Sequence, residues 1–384
     1  MLLHNLLLPE GGPQSLVIEK GLIQSIGPAA HTPDAPFSLS FGQDLAFPGL
    51  VNSHDHLDFN SFPRLGHYPY PNYVEWGNDI HARDKGLINQ VLRIPKALRI
   101  LWGIYKNLLN GVTTVVNHGP PLQVSNELIT IYQPCCSLHS VRLEKHWKLK
   151  LNLPGHLGHP CVIHIGEGTD PVSGQEIDAL IRWNIFRRPL IGVHGVAMSG
   201  QQAASFSALV WCPDSNLFLL GKTAGLQELK HHTRILFGTD STVSGSWNLW
   251  EQLRGAQATG MATPQEIYDM VTVNAAAVWH LPHTGRLAPG RQADVVIARN
   301  KSTCGFLDGF FQVNPEDILL VVHRGEIKLF DETLSPQLER QDRLPAGFSS
   351  FSIGQERKFV KGNLPALVAE ITGHHPEITF PVGV

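Results

Sequence analysis

Short apolar runs that end on polar, chemistry-bearing residues recur through the middle of the chain. FPGLVNSHDH, GVTTVVNHG, PCVIHIGEG, LIGVHG, LVWCPDSN and ILFGTDS each stop at or near a His, Asp, Asn or Ser. Helical patterns separate them, the signature of βα units and a parallel sheet. In a (β/α)8 barrel the C-terminal strand ends converge on one mouth. Runs that all end this way are hard to explain by packing alone. Thr263-Pro264-Gln265-Glu266 predicts a helix start with a cap, a first-turn proline and a capping-box glutamate, opening a helical stretch into VNAAAVWHL. Residues 118–159 fit badly, because two strands and two helices must normally fit there. The helical-looking LEKHWKLKLNLPG is short, so a compressed or irregular side of the barrel is expected.

The two ends of the chain follow a different period. SLVIEKGLIQSI (15–26) alternates apolar and polar around Lys20-Gly21, and ILLVVHRGEIKLF (318–330) does so around Arg324-Gly325. Both are hairpin patterns, and they predict one small β-sandwich built from both termini. GRLAPGRQADVVIA (285–298) adds a further strand. From residue 346 the character is mixed, with a helix pattern at GNLPALVAEI and no legible role.

Composition narrows the function classes. With 30 basic and 33 acidic residues the net charge is −3, which gives no electrostatic case for nucleic acid or an anionic membrane. No stretch approaches the ~18 apolar residues of a transmembrane helix. MLLHNLLLPEGG lacks a basic region and a small-residue cleavage site, so it reads as a strand. The five Cys are few and odd in number, which favours reduced thiols in a cytoplasmic protein. Cys135-Cys136 reads as packing rather than a metal site.

His54-Asp55-His56 carries the first chemistry. On a strand, side chains at i and i+2 share a face, so both imidazoles reach one point, and neutral imidazole is a good ligand for Zn²⁺, Fe²⁺ or Ni²⁺. The run AFPGLV before it places the pair at the barrel mouth. His164 ends PCVIHI, His194 ends LIGV, and Asp240 ends RILFGT. Taken alone, His164 reads as a buried hydrogen-bonded histidine and Asp240 as a turn or N-cap residue. Together, three nitrogens and one carboxylate oxygen form a catalytic metal set with a position left for water. Glu167, three residues past His164, is a general acid/base for that water, or else a first-turn helix acid.

The ordered set PGLVNSHDH, GVTT, HIGE, GVHG, WCPDSN, FGTDS and TVNAA…GRLAPGRQADVVIA, spanning about residues 1–330, resembles the motifs of the amidohydrolase superfamily. It is most similar to the aminohydrolases that deaminate aminopyrimidines, purines and triazines, including cytosine- and guanine-deaminase-like enzymes and chlorotriazine hydrolases. The resemblance implies an α/β fold, a distorted (β/α)8 TIM barrel over 49–285. Beside it the resemblance implies a small β-sandwich from 1–48 and 286–345, leaving 346–384 as a C-terminal extension. It implies metal ligands at His54, His56, His164 and Asp240, with Glu167 as proton shuttle between water and the departing amine. His194 would hydrogen-bond the attacking oxygen or substrate, and Asp240 would also accept a proton. His118, Ser215 and Asn216 are substrate-binding candidates, each weighed against a structural role. Many members bridge two metals with a carboxylated lysine at the end of the fourth strand. Lys145, Lys148 and Lys150 lie in a helix-like stretch before His164 instead, so one divalent ion, Zn²⁺ or Fe²⁺, is expected.

The expected function is hydrolytic deamination of an amino-substituted heterocycle by a metal-activated water, on a small-molecule substrate. Neither nucleic acid nor membrane is expected as a partner, and nothing excludes a homo-oligomer. Two alternatives stand beside it. One is hydrolysis of a cyclic amide or halo-heterocycle on the same metal framework. The other is a non-catalytic barrel, which would have no need of Glu167. A nucleoside-type zinc deaminase requires H-x-E and P-C-x-x-C, and the chain has H-x-x-E and Pro134-Cys135-Cys136. Gly221-Lys222-Thr223 is not the end of a phosphate loop, since Asn216 stands where the first glycine belongs. No G-x-G-x-x-G follows a strand.

Overall fold

The computed structural model describes residues 1–9, 11–28, 37–124, 126–154, 158–342 and 346–384. The N-terminal strands are β1 (Leu2–Leu7), β2 (Pro13–Glu19), β3 (Leu22–Gly27) and β4 (Ser38–Pro48). Eight strands follow in barrel order: β5 (Leu50–Asp55), β6 (Val112–Asn117), β7 (Thr130–Tyr132), β8 (Cys136–Ser140), β9 (Cys161–Ile165), β10 (Leu190–His194), β11 (Ala208–Trp211) and β12 (Arg234–Phe237). The C-terminal set is β13 (Val295–Ala298), β14 (Ile318–His323), β15 (Glu326–Asp331), β16 (Phe348–Ile353) and β17 (Glu356–Lys361).

Strands β5 to β12 are parallel and neighbour one another in sequence order, as two arcs of three and five. This is the expected (β/α)8 barrel, and its distortion lies at the two seams. Between β12 and β5, Asp240 N–H donates to His54 O at 3.1 Å and Thr239 N–H to Asn52 Oδ1 at 3.1 Å. Between β7 and β8 only Gln133-Pro134-Cys135 intervene, with no helix. The expected compression is therefore here. Among the described residues of LEKHWKLKLNLPG, the α-helix covers only Trp147–Leu151, because His146 sits at φ 60 and stops the helix before Trp147. Thr263 caps its helix through the predicted box, but that helix runs only over Pro264–Met270 and a second begins at Val273. The break at Val271-Thr272 frees the Val271 carbonyl for Val51 N–H at 2.8 Å, tying the segment to β5.

The remaining nine strands form one continuous sheet in the order β16-β17-β15-β14-β13-β4-β1-β2-β3. Leu3, Leu16 and Leu39 from the N-terminal strands share a core with Val295, Leu320 and Phe330 from the C-terminal ones, so the sheet folds over itself as a small sandwich. Both predicted hairpins are present. Lys20-Gly21 (φ 52 and 78) and Arg324-Gly325 (φ 52 and 79) have the positive φ pair of a type I′ turn. The two turns meet, with Ala293 N–H donating to Gly21 O and Gly325 N–H to Ala293 O. A Cβ on Gly325 would lie 2.7 Å from Gly21 Cα, so only glycine fits this contact. In the C-terminal region, β16 and β17 extend the sheet and a helix covers Leu364–His374. No helix among the described residues is long and apolar enough to cross a membrane.

The long β5–β6 connection matters most for function. It carries helices over Tyr73–Arg83, Lys85–Arg93 and Lys96–Leu109. The last buries Trp102, Ile104, Leu108 and Leu109, and with them Lys106 and Asn107.

Candidate metal centre and catalytic site

The strand-end residues converge at the barrel mouth. His54 and His56 come from the end of β5, His164 from β9, His194 from β10, and Asp240 follows β12. His56 Nε2 and His54 Nε2 each lie 3.3 Å from His164 Nε2, while Asp240 Oδ1 lies 3.7 Å from His54 Nε2 and 3.9 Å from His56 Nε2. Ligand atoms about 2.0–2.1 Å from a tetrahedral zinc are about 3.3–3.4 Å apart, so the nitrogen spacing fits one ion. The donor chemistry fits as well. His164 Nδ1 donates to His139 O at 2.8 Å, which leaves its Nε2 lone pair pointing into the cluster. Burial and neighbouring imidazoles push His54 and His164 well below the usual histidine range, so both are neutral, as ligation requires. Asp240 is fully buried, which alone would raise its carboxyl. Charge on His56 and His194, together with hydrogen bonds from Ser241 N–H and Ser215, holds it below the ordinary value.

The side chains around this cluster are themselves held. Ser215 Oγ and Ser244 Oγ donate to Asp240 Oδ2 at 2.9 and 3.0 Å. Trp211 Nε1 donates to Thr223 Oγ1, Thr223 to Asn216 Oδ1, and Asn216 Nδ2 to His194 Nδ1 at 2.9 Å. The proton on His194 therefore sits on Nε2, which faces Glu167 Oε2 at 3.6 Å. Burial lowers His194 to about 4, so it stays neutral near pH 7. Two of these residues are strained: His194 has φ 74 and Asp240 φ 56. Non-glycine residues hold such angles only where the surroundings dictate them, and this clustering is typical of functional sites.

Glu167 is buried, and burial, the Asp240 charge and Glu176 push its carboxyl well up. The Gly166 before it has φ 60, and a Cβ there would meet Ile177 Cδ1 at 2.8 Å, so the HIGE turn needs glycine. Glu176 accepts from Gly166 N–H at 2.9 Å and from the Tyr73 hydroxyl at 3.2 Å, joining the Glu167 turn to the first helix of the β5–β6 connection. Burial raises Glu176 to about 7, against those two hydrogen bonds. An acid with a folded pKa above its unfolded value loses stability as pH rises through the folded value. Glu176→Gln is therefore expected to gain stability over the parent between pH 5 and 8, approaching on the order of 3 kcal/mol from 1.36 kcal/mol per unit. Melting curves of the two proteins that stay parallel across that range would refute this.

Of the three substrate-binding candidates, none lines the cavity in front of the metal cluster, which measures about 510 Å³ and includes His56, His164, Glu167, His194 and Asp240 in its wall. His118 packs behind His164 at a ring distance of 4.2 Å and bonds Leu138 O through Nε2. Ser215 and Asn216 are fully buried against Asp240 and His194 as described. The sequence reading missed Ser244, Tyr73 and Glu176. It also missed a buried network under the site in which Lys106, Asn107 and Asn60 hold Asp55, and Asn52 holds Asn107 and Thr239. Asp55 offered a signal: strand alternation turns it away from His54 and His56, and a buried acid there needs partners.

Residues 173–328 match the amidohydrolase family. A 200-residue segment is 27% identical to 5-methylthioadenosine/S-adenosylhomocysteine deaminase of Caldicellulosiruptor saccharolyticus, covering 45% of this chain and 47% of the relative, so the alignment spans about half the length of that protein. An adenosine deaminase from Xanthomonas campestris with bound zinc superposes with a TM-score of 0.73 at 15% identity, over 98% of this chain and 97% of that one. Atrazine chlorohydrolase from Arthrobacter aurescens complexed with zinc superposes with a TM-score of 0.69 at 16% identity, over 97% and 99%. The amidohydrolase family match over residues 173–328 thus lies on a fold that this chain shares along nearly its whole length with the zinc-bound adenosine deaminase and atrazine chlorohydrolase structures.

Proposed function

We propose that the protein is a mononuclear metal-dependent hydrolase that replaces an amino group on a nitrogen heterocycle with oxygen and releases ammonia. The strongest support is a cavity whose wall carries His56, His164 and Asp240 together with Glu167, an acid outside the proposed ligands, beside His194, with His54 Nε2 3.3 Å from His164 Nε2. A divalent ion held by His54, His56, His164 and Asp240, zinc or iron(II), supplies Lewis acidity and acidifies water. Glu167 takes the proton from the attacking water and delivers it to the departing amine, a role suited to a carboxyl raised by burial. His194 offers its Nε2–H to the oxygen that gains charge. Asp240, oriented by Ser215 and Ser244, is a second proton acceptor. Ser215 and Asn216 act here by orienting Asp240 and His194, and His118 by packing against His164.

One ion rather than two is favoured because β8, the fourth barrel strand, ends at His139-Ser140 without a lysine. Lys148 Nζ instead lies over the Trp183 ring, and Lys150 pairs with Glu144. His56→Ala is expected to lose bound metal, since it removes a ligand. Elemental analysis of the purified variant checks this, and unchanged metal content would remove His56 from the site. The function itself is tested by assaying metal-loaded protein for ammonia release from aminopyrimidines, aminopurines and aminotriazines. Halide from chlorotriazines or ring-opened product from cyclic amides assayed alongside, without ammonia from the amines, would replace deamination by the related hydrolyses. No turnover with metal bound would leave a non-catalytic barrel.

A further inference from the structure

Apart from the groups assigned to chemistry, much of the cavity wall comes from the β5–β6 connection. Phe62, Leu65, Trp76, Ile80, Ile88 and Leu92 line it. Leu65, Ile80 and Ile88 are buried whereas Leu92 is 48% exposed, so an apolar track runs from the metal cluster to solvent past the helices at 73–83 and 85–93. Among the described lining residues there is no Lys or Arg, and the only carboxylates are Glu167 and Asp240. Polar atoms beside the apolar side chains of the track already have partners. The Tyr73 hydroxyl donates to Glu176, and the Trp76 indole N–H donates to Leu65 O at 2.7 Å. Asn78 and His81 are exposed, and His139, also exposed, has its ring 5.3 Å from that of His164.

A phosphate placed along this track would meet no cation. Sugar hydroxyls would leave water for hydrocarbon without new hydrogen bonds, at a cost of ~1–3 kcal/mol each on the protein scale. Hydrocarbon gains where they lose. The cavity, at about 510 Å³, lies in the range that encloses a drug-sized molecule, well beyond the needs of a bare ring.

We propose that the substrate is a neutral amino-heterocycle carrying an extended apolar substituent, with its ring at the His/Asp/Glu cluster and its arm along the track that ends at Leu92. This rests on the deamination reading above and specifies what it acts on. The test uses metal-loaded enzyme and amino-heterocycles in bare, ethyl, butyl, hexyl, ribosyl and phosphoribosyl forms, on pyrimidine, purine and triazine rings. On whichever ring releases ammonia, kcat/KM is expected to rise about fourfold per methylene until the arm reaches solvent. The ribosyl and phosphoribosyl forms should fall below the butyl form by on the order of tenfold or more. Leu92→Asp, at an exposed position, should flatten only the last step of the series. A flat alkyl series, or ribosyl or phosphoribosyl forms at or above butyl, would overturn the proposal. If no ring releases ammonia, the corresponding keto compounds are titrated into Glu167→Gln protein by tryptophan fluorescence. Binding that tightens along the alkyl series would then keep the apolar track while the deamination reading fails. Binding that ignores the arm would overturn both.

Discussion

Glu167→Gln is expected to keep its metal and lose on the order of 10²–10⁴ in kcat. The amide is nearly isosteric, and the one hydrogen bond that ties this residue to the first helix of the β5–β6 connection is made by its backbone carbonyl, from Tyr73 N–H. The fold and the ligand set are therefore left alone. What disappears is a group able to take a proton and return it. In the parent, burial, the neighbouring Asp240 carboxylate and Glu176 all favour the protonated carboxyl, which suits delivery of a proton to an amine that would otherwise leave as an anion. Glutamine can donate a hydrogen bond there but cannot cycle a proton. Metal content per chain and kcat, measured on the same preparation, separate this from loss of the ion. Full activity with metal bound would remove Glu167 from the proton path, and loss of metal would make it part of the ligand set.

The barrel and both hairpins were legible because their signals are local. An apolar run that stops on a histidine describes a strand end within about ten residues, and Lys20-Gly21 or Arg324-Gly325 specifies a turn within four. The same locality made His54, His56, His164, Glu167, His194 and Asp240 readable as candidates. What stayed hidden depends on long-range pairing. Nothing near Lys106 in sequence says that its ammonium ends beside Asp55 and the Asp240 carbonyl, since the contact is made by a helix folding back under β5. Tyr73 and Glu176 meet across 103 residues. The short β7–β8 link could be felt only as a shortage of residues. Val271-Thr272 breaks a helix whose start was correctly signalled, because a barrel backbone group competes for the Val271 carbonyl.

That hidden network predicts the second large effect. Lys106→Met is expected to destabilise the protein by about 3–5 kcal/mol, the cost of leaving a buried charge without its partner. Lys106 and Asp55 are almost fully buried and 3.1 Å apart. All three ammonium protons have acceptors: Asp55 Oδ2, Thr239 Oγ1 at 3.3 Å and Asp240 O at 3.2 Å. Methionine matches the stem and supplies none of these donors. Asp55 would keep Asn60 and Asn107, two neutral donors against a full negative charge. The loss should also reach the metal, because the Asp240 backbone, already at φ 56, is held by the same ammonium. Ligand-orienting groups of this kind are worth about 10–100-fold in metal affinity. Asp55→Asn added to Lys106→Met should recover part of the stability, since it removes the stranded charge, but not the metal affinity, since the Asp240 carbonyl keeps only the Thr239 hydroxyl at 2.9 Å and still lacks the ammonium. Urea unfolding of the apo forms and competitive metal titration of the folded ones measure the two effects separately. A single variant within about 1 kcal/mol of the parent would mean that Asp55 is neutral or rehydrated in the folded protein, and restored affinity in the double variant would mean that Lys106 acts on the metal only through Asp55.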